Sequence, residues 1–183
     1  MKSLVRQSML HQRLNLSMQQ KKAWDASLMQ QLLLLEIFQQ AQTIGLFHPI
    51  KNEPDLLSIT NLFPNKHFLL PVVDGASMTY HTYKFQDYLA PLQKSELTIL
   101  EPKQGKPFLQ PLDLILVPGL AFTISGQRLG FGKGYFDQYL KQFRPKYTLG
   151  VLYPFQLLPS IPSEEHDQVV DHILIANEDS QNQ

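Results

Sequence analysis

The chain has 183 residues, of which 43% are hydrophobic and 17% charged, as is typical of a soluble globular protein long enough to bury its own core. Its 16 basic residues balance its 16 acidic ones, so no overall field favours nucleic acid or an anionic membrane, and any anion must be bound by a local cluster. Cysteine is absent, which excludes disulfides, thiol catalysis and thiolate–metal sites.

The N-terminus lacks the long apolar core of a signal peptide. The most apolar run, residues 32–38, is interrupted by Glu36 and is too short to span a bilayer. We therefore predict a cytoplasmic protein without a membrane or nucleic-acid partner, and we expect it to act as a monomer.

Taken in chain order, the sequence predicts helices first and then alternating strands and helices. Residues 1–42 contain no glycine or proline and predict helices, with Ser17 as the cap of one that runs from about residue 18 to residue 41. A further helix is predicted at 55–63, capped by Asp55, and another at 134–143. Short apolar runs predict strands at 43–47, 67–73, 77–83, 112–117, 147–153 and 172–176. This order predicts an α/β protein with a largely parallel sheet covered on both faces, in a single domain over 1–183 with a frayed tail from 177.

The segment Arg128–Asp137, R-L-G-F-G-K-G-Y-F-D, follows the predicted strand 112–117 and leads into a predicted helix. Ligands of open α/β sheets collect at the carboxyl ends of strands, and glycines, free N–H groups and a lysine suit a phosphate there. Its spacing matches neither a Walker loop nor a dinucleotide fingerprint. Without further evidence, a surface turn that carries a cation remains the alternative.

Three basic residues, Lys2, Arg6 and Arg13, fall within roughly 40° of one helical face. This stripe is a second candidate for binding a polyphosphate, and a solvated basic face is its alternative.

Acidic residues provide candidates for binding magnesium. Asp137 lies one helical turn beyond Lys133, and Mg²⁺ takes only one or two carboxylates beside phosphates. The run 164–172 clusters acids and histidines and indicates either a transition-metal site or an exposed polar loop. Glu53 follows the first predicted strand and has no evident structural role.

The stretch D-L-I-L-V-P-G-L-A-F-T-I-S-G-Q-R-L-G-F-G-K-G-Y-F-D-Q-Y-L, residues 113–140, strongly resembles the signature of the 5-formyltetrahydrofolate cyclo-ligase family. Supporting matches run along nearly the whole chain, among them Lys2 and Arg6, the Glu53-Pro-Asp segment, and Asp167 followed by Asp171.

The resemblance implies a three-layer α/β/α sandwich and conversion of ATP and 5-formyltetrahydrofolate to 5,10-methenyltetrahydrofolate, ADP and phosphate, with Mg²⁺. It implies catalytic roles for Lys133 and Arg128 and a metal site at Asp137 and Asp167. The implied ATP site comprises Lys2, Arg6, Arg128, Gly130, Gly132, Lys133, Gly134, Tyr135 and Phe136. The implied folate pocket comprises Phe47, His48, Glu53 and Phe131.

Three residues depart from the family pattern: Thr123 replaces an acid, Phe136 a tyrosine, and Gln138 an arginine. They keep open a non-catalytic folate- or nucleotide-binding protein on the same fold. Fold analogy also leaves another phosphoryl-transfer enzyme as an alternative.

Overall fold

The computed structural model describes residues 1–75, 77–83, 89–91, 100–102, 106–164 and 167–178, with only the backbone of 89–91 and 100–102. The helices in these residues are α1 Lys2–Leu14, α2 Met18–Leu34, α3 Glu36–Gln40, α4 Ile59–Leu62 and α5 Tyr135–Gln142. The strands are β1 Thr43–Gly45, β2 His67–Asp74, β3 Ser77–Thr82, β4 Leu89–Pro91, β5 Leu100–Pro102, β6 Pro107–Phe108, β7 Leu114–Val117, β8 Ala121–Phe122, β9 Arg128–Leu129, β10 Tyr147–Leu152 and β11 His172–Ile175.

A seven-stranded sheet in the order β11-β10-β7-β1-β2-β3-β6 forms the centre of the fold. The first five of these strands are parallel, and β3 and β6 run antiparallel at one edge. The predicted α/β class and largely parallel sheet are confirmed. Because β1 pairs with β2 on one side and β7 on the other, the chain reverses its winding between β1 and β7, where such sheets bind ligands.

Alternate residues of the central strands belong to two different hydrophobic cores. Leu114 and Leu116 of β7 pack with α2 and α3 on one face. Ile115 and Val117 pack with α5 on the other face. Because side chains of a strand alternate between faces, this division gives three layers, helix–sheet–helix, as the resemblance implied.

The N-terminal helices agree with the prediction except at one break. Ser17 caps α2, its hydroxyl accepting the N–H of Gln20 at 3.0 Å. The predicted helix to residue 41 is wrong at Leu35, which adopts extended dihedrals between α2 and α3. Behind the break, Lys66 donates to the carbonyls of Phe38 and Gln39 at 3.2 and 2.9 Å, so a residue distant in sequence stabilises the end of α3.

The predicted helix at 55–63 is shorter than expected. Asp55 accepts the N–H of Leu57 at 3.1 Å, so it caps a local turn and not the helix. The turns that follow are closed by backbone hydrogen bonds between residues three positions apart, such as Ile59 N–H to the Leu56 carbonyl at 3.1 Å. Only residues 59–62 are α-helical.

An unpredicted hairpin, β8 paired with β9, projects from the sheet between β7 and α5. Leu120, Ala121 and Leu129 of this region form a small core with Met9 of α1. This packing holds the basic N-terminal helix against the segment that carries the glycine-rich motif.

At the C-terminal end, Asn177 donates its N–H to the Ser27 hydroxyl at 2.9 Å, so the first residue of the predicted frayed tail is held. The rest of that prediction falls mainly on residues 179–183, outside the described residues. Among the helices described, none combines the length and the apolarity needed to cross a bilayer.

Candidate active site

A cavity of about 230 Å³ opens at the carboxyl ends of the parallel strands, beside the reversal between β1 and β7. It gathers every residue of the ATP, folate and metal sites that the family resemblance implied: Lys2, Arg6, Phe47, His48, Glu53, Arg128, Gly130, Phe131, Gly132, Lys133, Gly134, Tyr135, Phe136, Asp137 and Asp167. Segments from both ends of the chain therefore meet in one place, although the roles of these residues stay predictions.

The glycine-rich loop forms one wall and leads directly into α5. Gly132 and Gly134 have φ angles of 94° and 72°, in the left-handed region that glycine adopts without steric cost. A Cβ on Gly132 would lie 3.3 Å from the guanidinium carbon of Arg6. The loop thus brings backbone, the exposed Lys133 and Arg6 close together, as an anion site requires.

The two arginines of this wall are held in defined positions. Arg6 donates its Nε–H to the Gly130 carbonyl at 2.9 Å. Arg128 pairs with Asp137 at 2.9 Å, and its guanidinium lies 5.6 Å from the centre of the Phe136 ring. A guanidinium over a ring donates in its own plane, so Arg128 keeps its ion pair with Asp137 while it contacts Phe136, and this contact needs no phenol.

Lys2 also lines the cavity, between two acids of the loop before β11. Its Nζ lies 2.8 Å from Asp167 and 3.2 Å from Glu164. Burial by itself lowers the pKa of Lys2, but the two carboxylates outweigh it and the net direction is upward. The ammonium is therefore charged and already paired before any ligand enters.

Asp137 and Asp167 lie on adjacent segments. Asp137 accepts the N–H of Gln168, the residue that follows Asp167, at 3.2 Å. Two carboxylates on one wall fit Mg²⁺, which keeps several waters and takes its remaining oxygens from phosphates. Among the described residues, no group of three or more acidic or histidine side chains is arranged to hold a metal ion.

The other half of the cavity is largely apolar. Phe47, Ile50 and Phe131 meet Val73 and Met78, which are cross-strand partners in the β2–β3 hairpin. Burial lowers the pKa of His48, so its imidazole is neutral at physiological pH, and its Nδ1 is buried without a hydrogen-bond partner. A flat heterocycle that supplies a hydrogen bond suits such a surface.

Glu53 is the buried acid of this half. Its carboxylate accepts the Ile50 N–H at 3.1 Å and lies 3.6 Å from Arg13. Burial raises the pKa of Glu53 to about 7, against the opposing effect of Arg13. Sequence reasoning found no structural role for Glu53, because its partner is 40 positions away along the chain.

The prediction that Arg13 reaches a polyphosphate together with Lys2 and Arg6 is wrong. Arg13 is fully buried and does not line the cavity. It lies in the last turn of α1, where the helix has passed beneath the loops, so sharing a helical face does not give it the same surroundings.

Eight lining residues were missed: Ile50, Pro71, Val73, Met78, Pro118, Gly119, Leu129 and Glu164. Val73 and Met78 carry no local signal, because only the register of the β2–β3 hairpin brings them to the cavity. Glu164 belongs to the polar run at 164–172, which the sequence offered as a metal site or a loop. In that run the carboxylate of Asp171 accepts hydrogen bonds from Thr148 and Arg144. His166 lies outside the described residues.

Two of the departures from the family pattern, Thr123 and Gln138, do not line the cavity. The Thr123 hydroxyl accepts the Gln127 N–H at 3.1 Å within the β8–β9 turn, a bond that a carboxylate would also accept. Gln138 lies on the exposed side of α5. Neither position weakens the cavity, which removes the main support for a non-catalytic protein.

This geometry defines an α/β protein with a cation-lined, glycine-rich loop and an apolar, acid-containing pocket in a single cleft. Comparison with known proteins agrees. A sequence model described as the 5-formyltetrahydrofolate cyclo-ligase family matches residues 1–176. A Mus musculus protein named 5-formyltetrahydrofolate cyclo-ligase is 31% identical, with 90% of this chain and 89% of the relative covered. One of the same name from Haemophilus influenzae is 30% identical, with coverages of 89% and 91%.

Solved structures give the same result. The NMR structure of Aquifex aeolicus 5,10-methenyltetrahydrofolate synthetase has a TM-score of 0.83 and 33% identity, covering 95% of this chain and 89% of the other. The chain belongs to the 5-formyltetrahydrofolate cyclo-ligase family, which confirms the resemblance seen in the sequence and the class of enzyme that it predicted.

Proposed function

We propose that the protein is an ATP- and Mg²⁺-dependent cyclo-ligase that converts 5-formyltetrahydrofolate to 5,10-methenyltetrahydrofolate with release of ADP and phosphate. Family membership supports the folate conversion itself. The observation that carries the ATP-dependent mechanism is the single cavity in which a cation-lined glycine loop adjoins an apolar pocket containing Glu53.

The reaction proceeds in two steps in this proposal. The formyl oxygen attacks the γ-phosphorus of ATP, and the bond to the leaving ADP oxygen breaks. N10 then attacks the formyl carbon, phosphate leaves with the formyl oxygen, and N10 gives up its proton. The first step makes a poor leaving group into a good one, and no protein nucleophile is required.

The chain's own residues supply position and charge. Lys133 and Arg128 stabilise the negative charge that develops on the transferring phosphoryl group, and Lys2 and Arg6 hold the triphosphate. Glu53, His48, Phe47 and Phe131 orient the folate ring so that the formyl oxygen faces the phosphate. Asp137 and Asp167 would hold Mg²⁺, which neutralises phosphate oxygens when bound.

The test is direct. Purified protein is mixed with 5-formyltetrahydrofolate, ATP and Mg²⁺, and the methenyl product and ADP are followed together. We expect equal amounts of both, dependent on all three components. Protein that makes no product and hydrolyses no ATP in response to folate would refute the proposal.

Leaving out folate, ATP or Mg²⁺ in turn separates this proposal from the two alternative functions. A non-catalytic binding protein would bind folate or nucleotide without turnover. Another phosphoryl-transfer enzyme would hydrolyse ATP in response to a different acceptor and not to 5-formyltetrahydrofolate. A monomeric state, a cytoplasmic location and the lack of a nucleic-acid partner stay predictions.

A further inference from the structure

Arg13 is a cation with no exposure to solvent, a costly arrangement unless its charge and donors are used. Its Nε donates to the Lys51 carbonyl at 2.9 Å, and one terminal nitrogen donates to the Gly119 carbonyl at 2.9 Å. The other terminal nitrogen has no hydrogen bond and lies 3.6 Å from the Glu53 carboxylate. Its charge is therefore directed at Glu53.

The two carbonyls belong to the loops that follow β1 and β7, which diverge at the point where the sheet reverses its winding. The guanidinium carbon also lies 5.5 Å from the centre of the Phe131 ring, in the glycine-rich loop. One side chain thus connects both sides of the reversal with the loop assigned to ATP, while remaining outside the cavity itself.

The turn before Glu53 needs this support. Lys51 and Asn52 have φ angles of 47° and 59°, a left-handed conformation that non-glycine residues rarely adopt. Besides the bond from Arg13 to the Lys51 carbonyl, Asn52 donates its side-chain amide to the Arg13 carbonyl at 3.2 Å. This reciprocal pair holds the turn and directs the Glu53 side chain at the cavity.

We propose that Arg13 is a positioning residue for the folate pocket: it holds the 51–53 turn and favours the carboxylate form of Glu53, which accepts N–H groups of the substrate's ring. The inference rests on the proposed function. It assigns to Arg13 an effect on folate binding through Glu53, without contact with either substrate.

Electrostatics supports the geometry. Burial raises the pKa of Glu53 to about 7, while Arg13 opposes the rise. Without the guanidinium, the carboxyl would hold its proton at neutral pH and could no longer accept from two donors. The other titratable groups that line the cavity are His48 on the same loop, and Lys2, Arg6, Arg128, Lys133, Asp137, Glu164, Asp167 and Tyr135 on the remaining walls.

The experiment compares Arg13→Met, Glu53→Gln and the double variant, with Arg144→Met as a matched control. Arg144 forms an exposed ion pair with Asp171 and does not line the cavity. For each protein, KM for folate and for ATP, kcat, and calorimetric affinity for 5-formyltetrahydrofolate are measured.

Arg13→Met is expected to raise the folate KM and dissociation constant about tenfold or more, with a much smaller change for ATP. The double variant should bind folate no worse than Glu53→Gln alone. In the wild type, kcat/KM for folate should rise with pH as Glu53 loses its proton. In Arg13→Met this rise should shift to higher pH by about one pH unit or more, and in Glu53→Gln it should vanish. Arg144→Met should match the wild type.

Additive losses in the double variant, or equal losses for folate and ATP, would show a merely structural role and overturn the inference. If Arg13→Met does not fold, Arg13→Lys is tested in its place, because an ammonium keeps the charge but cannot make both hydrogen bonds, to the Lys51 and Gly119 carbonyls. It should raise the folate KM with an unshifted pH profile; a wild-type KM would overturn the inference. Inactive wild type would overturn the proposed function and the inference with it, whereas active wild type with unchanged Arg13→Met overturns the inference alone.

Discussion

Lys2 and Asp167, 165 positions apart in the chain, lie 2.8 Å from each other across the rim of the cavity. On the same wall Arg128 lies 2.9 Å from Asp137. The residues predicted to bind phosphate are therefore paired with those predicted to hold the metal. In the proposed function, binding of Mg²⁺ and ATP would exchange these partners, so that the acids turn to the metal and the cations to phosphate.

The first prediction concerns Asp137. Asp137→Asn removes a carboxylate of the proposed metal site, so we expect the Mg²⁺ concentration for half-maximal activity to rise about tenfold or more. Titration of activity with Mg²⁺ at saturating substrates measures the shift. Asp171→Asn is the control: Asp171 accepts from Thr148 and Arg144 away from the cavity, so it should lower thermal stability and leave the Mg²⁺ requirement unchanged. An unchanged requirement in Asp137→Asn would contradict the metal assignment.

The second prediction concerns Lys133, an exposed residue of the glycine-rich loop. Lys133→Ala should lower kcat by about two orders of magnitude or more, because the proposed mechanism places this charge at the transferring phosphoryl group, and should leave the melting temperature nearly unchanged. Lys141→Ala, at the exposed end of α5, is the matched control and should retain activity. Equal activity of the two variants would remove Lys133 from the mechanism.

The third prediction separates crowding from backbone strain in the glycine loop. Gly132→Ala and Gly75→Ala both place a side chain at positive φ, at an expected cost of about 1–2 kcal/mol. An added Cβ meets Arg6 at Gly132 but nothing within 4 Å at Gly75. We expect ATP affinity, measured by calorimetry, to fall in Gly132→Ala only. A comparable fall in Gly75→Ala would mean that strain, and not displacement of Arg6, is responsible.

The fourth prediction is a pH dependence of stability. Burial raises the pKa of Glu53 from 4.5 to about 7, so the folded state holds this proton more tightly than the unfolded chain. The resulting stabilisation is complete below pH 4.5 and is lost as the pH rises through about 7, by ~3 kcal/mol at most. Urea unfolding of wild type and Glu53→Gln at about pH 5 and about pH 8 measures the difference. A difference between the two proteins that does not change with pH would contradict the raised pKa.

Local sequence patterns predicted much of the fold. The apolar run at 112–117 predicted β7, and the amphipathic run at 134–143 predicted α5, within two residues of their ends. The break at Leu35 was not predicted, because helix propensity runs through that residue and the stabilising Lys66 is remote. The β8–β9 hairpin was missed because strands of two residues leave no periodic signal.

By itself, the sequence determined the fold class, the family and the residue types at the site, because these follow from periodicity and from the motif at 113–140. Only the tertiary structure decided which cations reach the cavity. Lys2, Arg6 and Arg13 share one helical face, yet the turns carrying the first two border the cleft, while Arg13 is enclosed by the loops after β1 and β7. Solvent exposure and charge pairing depend on elements that are distant in sequence, so no local pattern contains them.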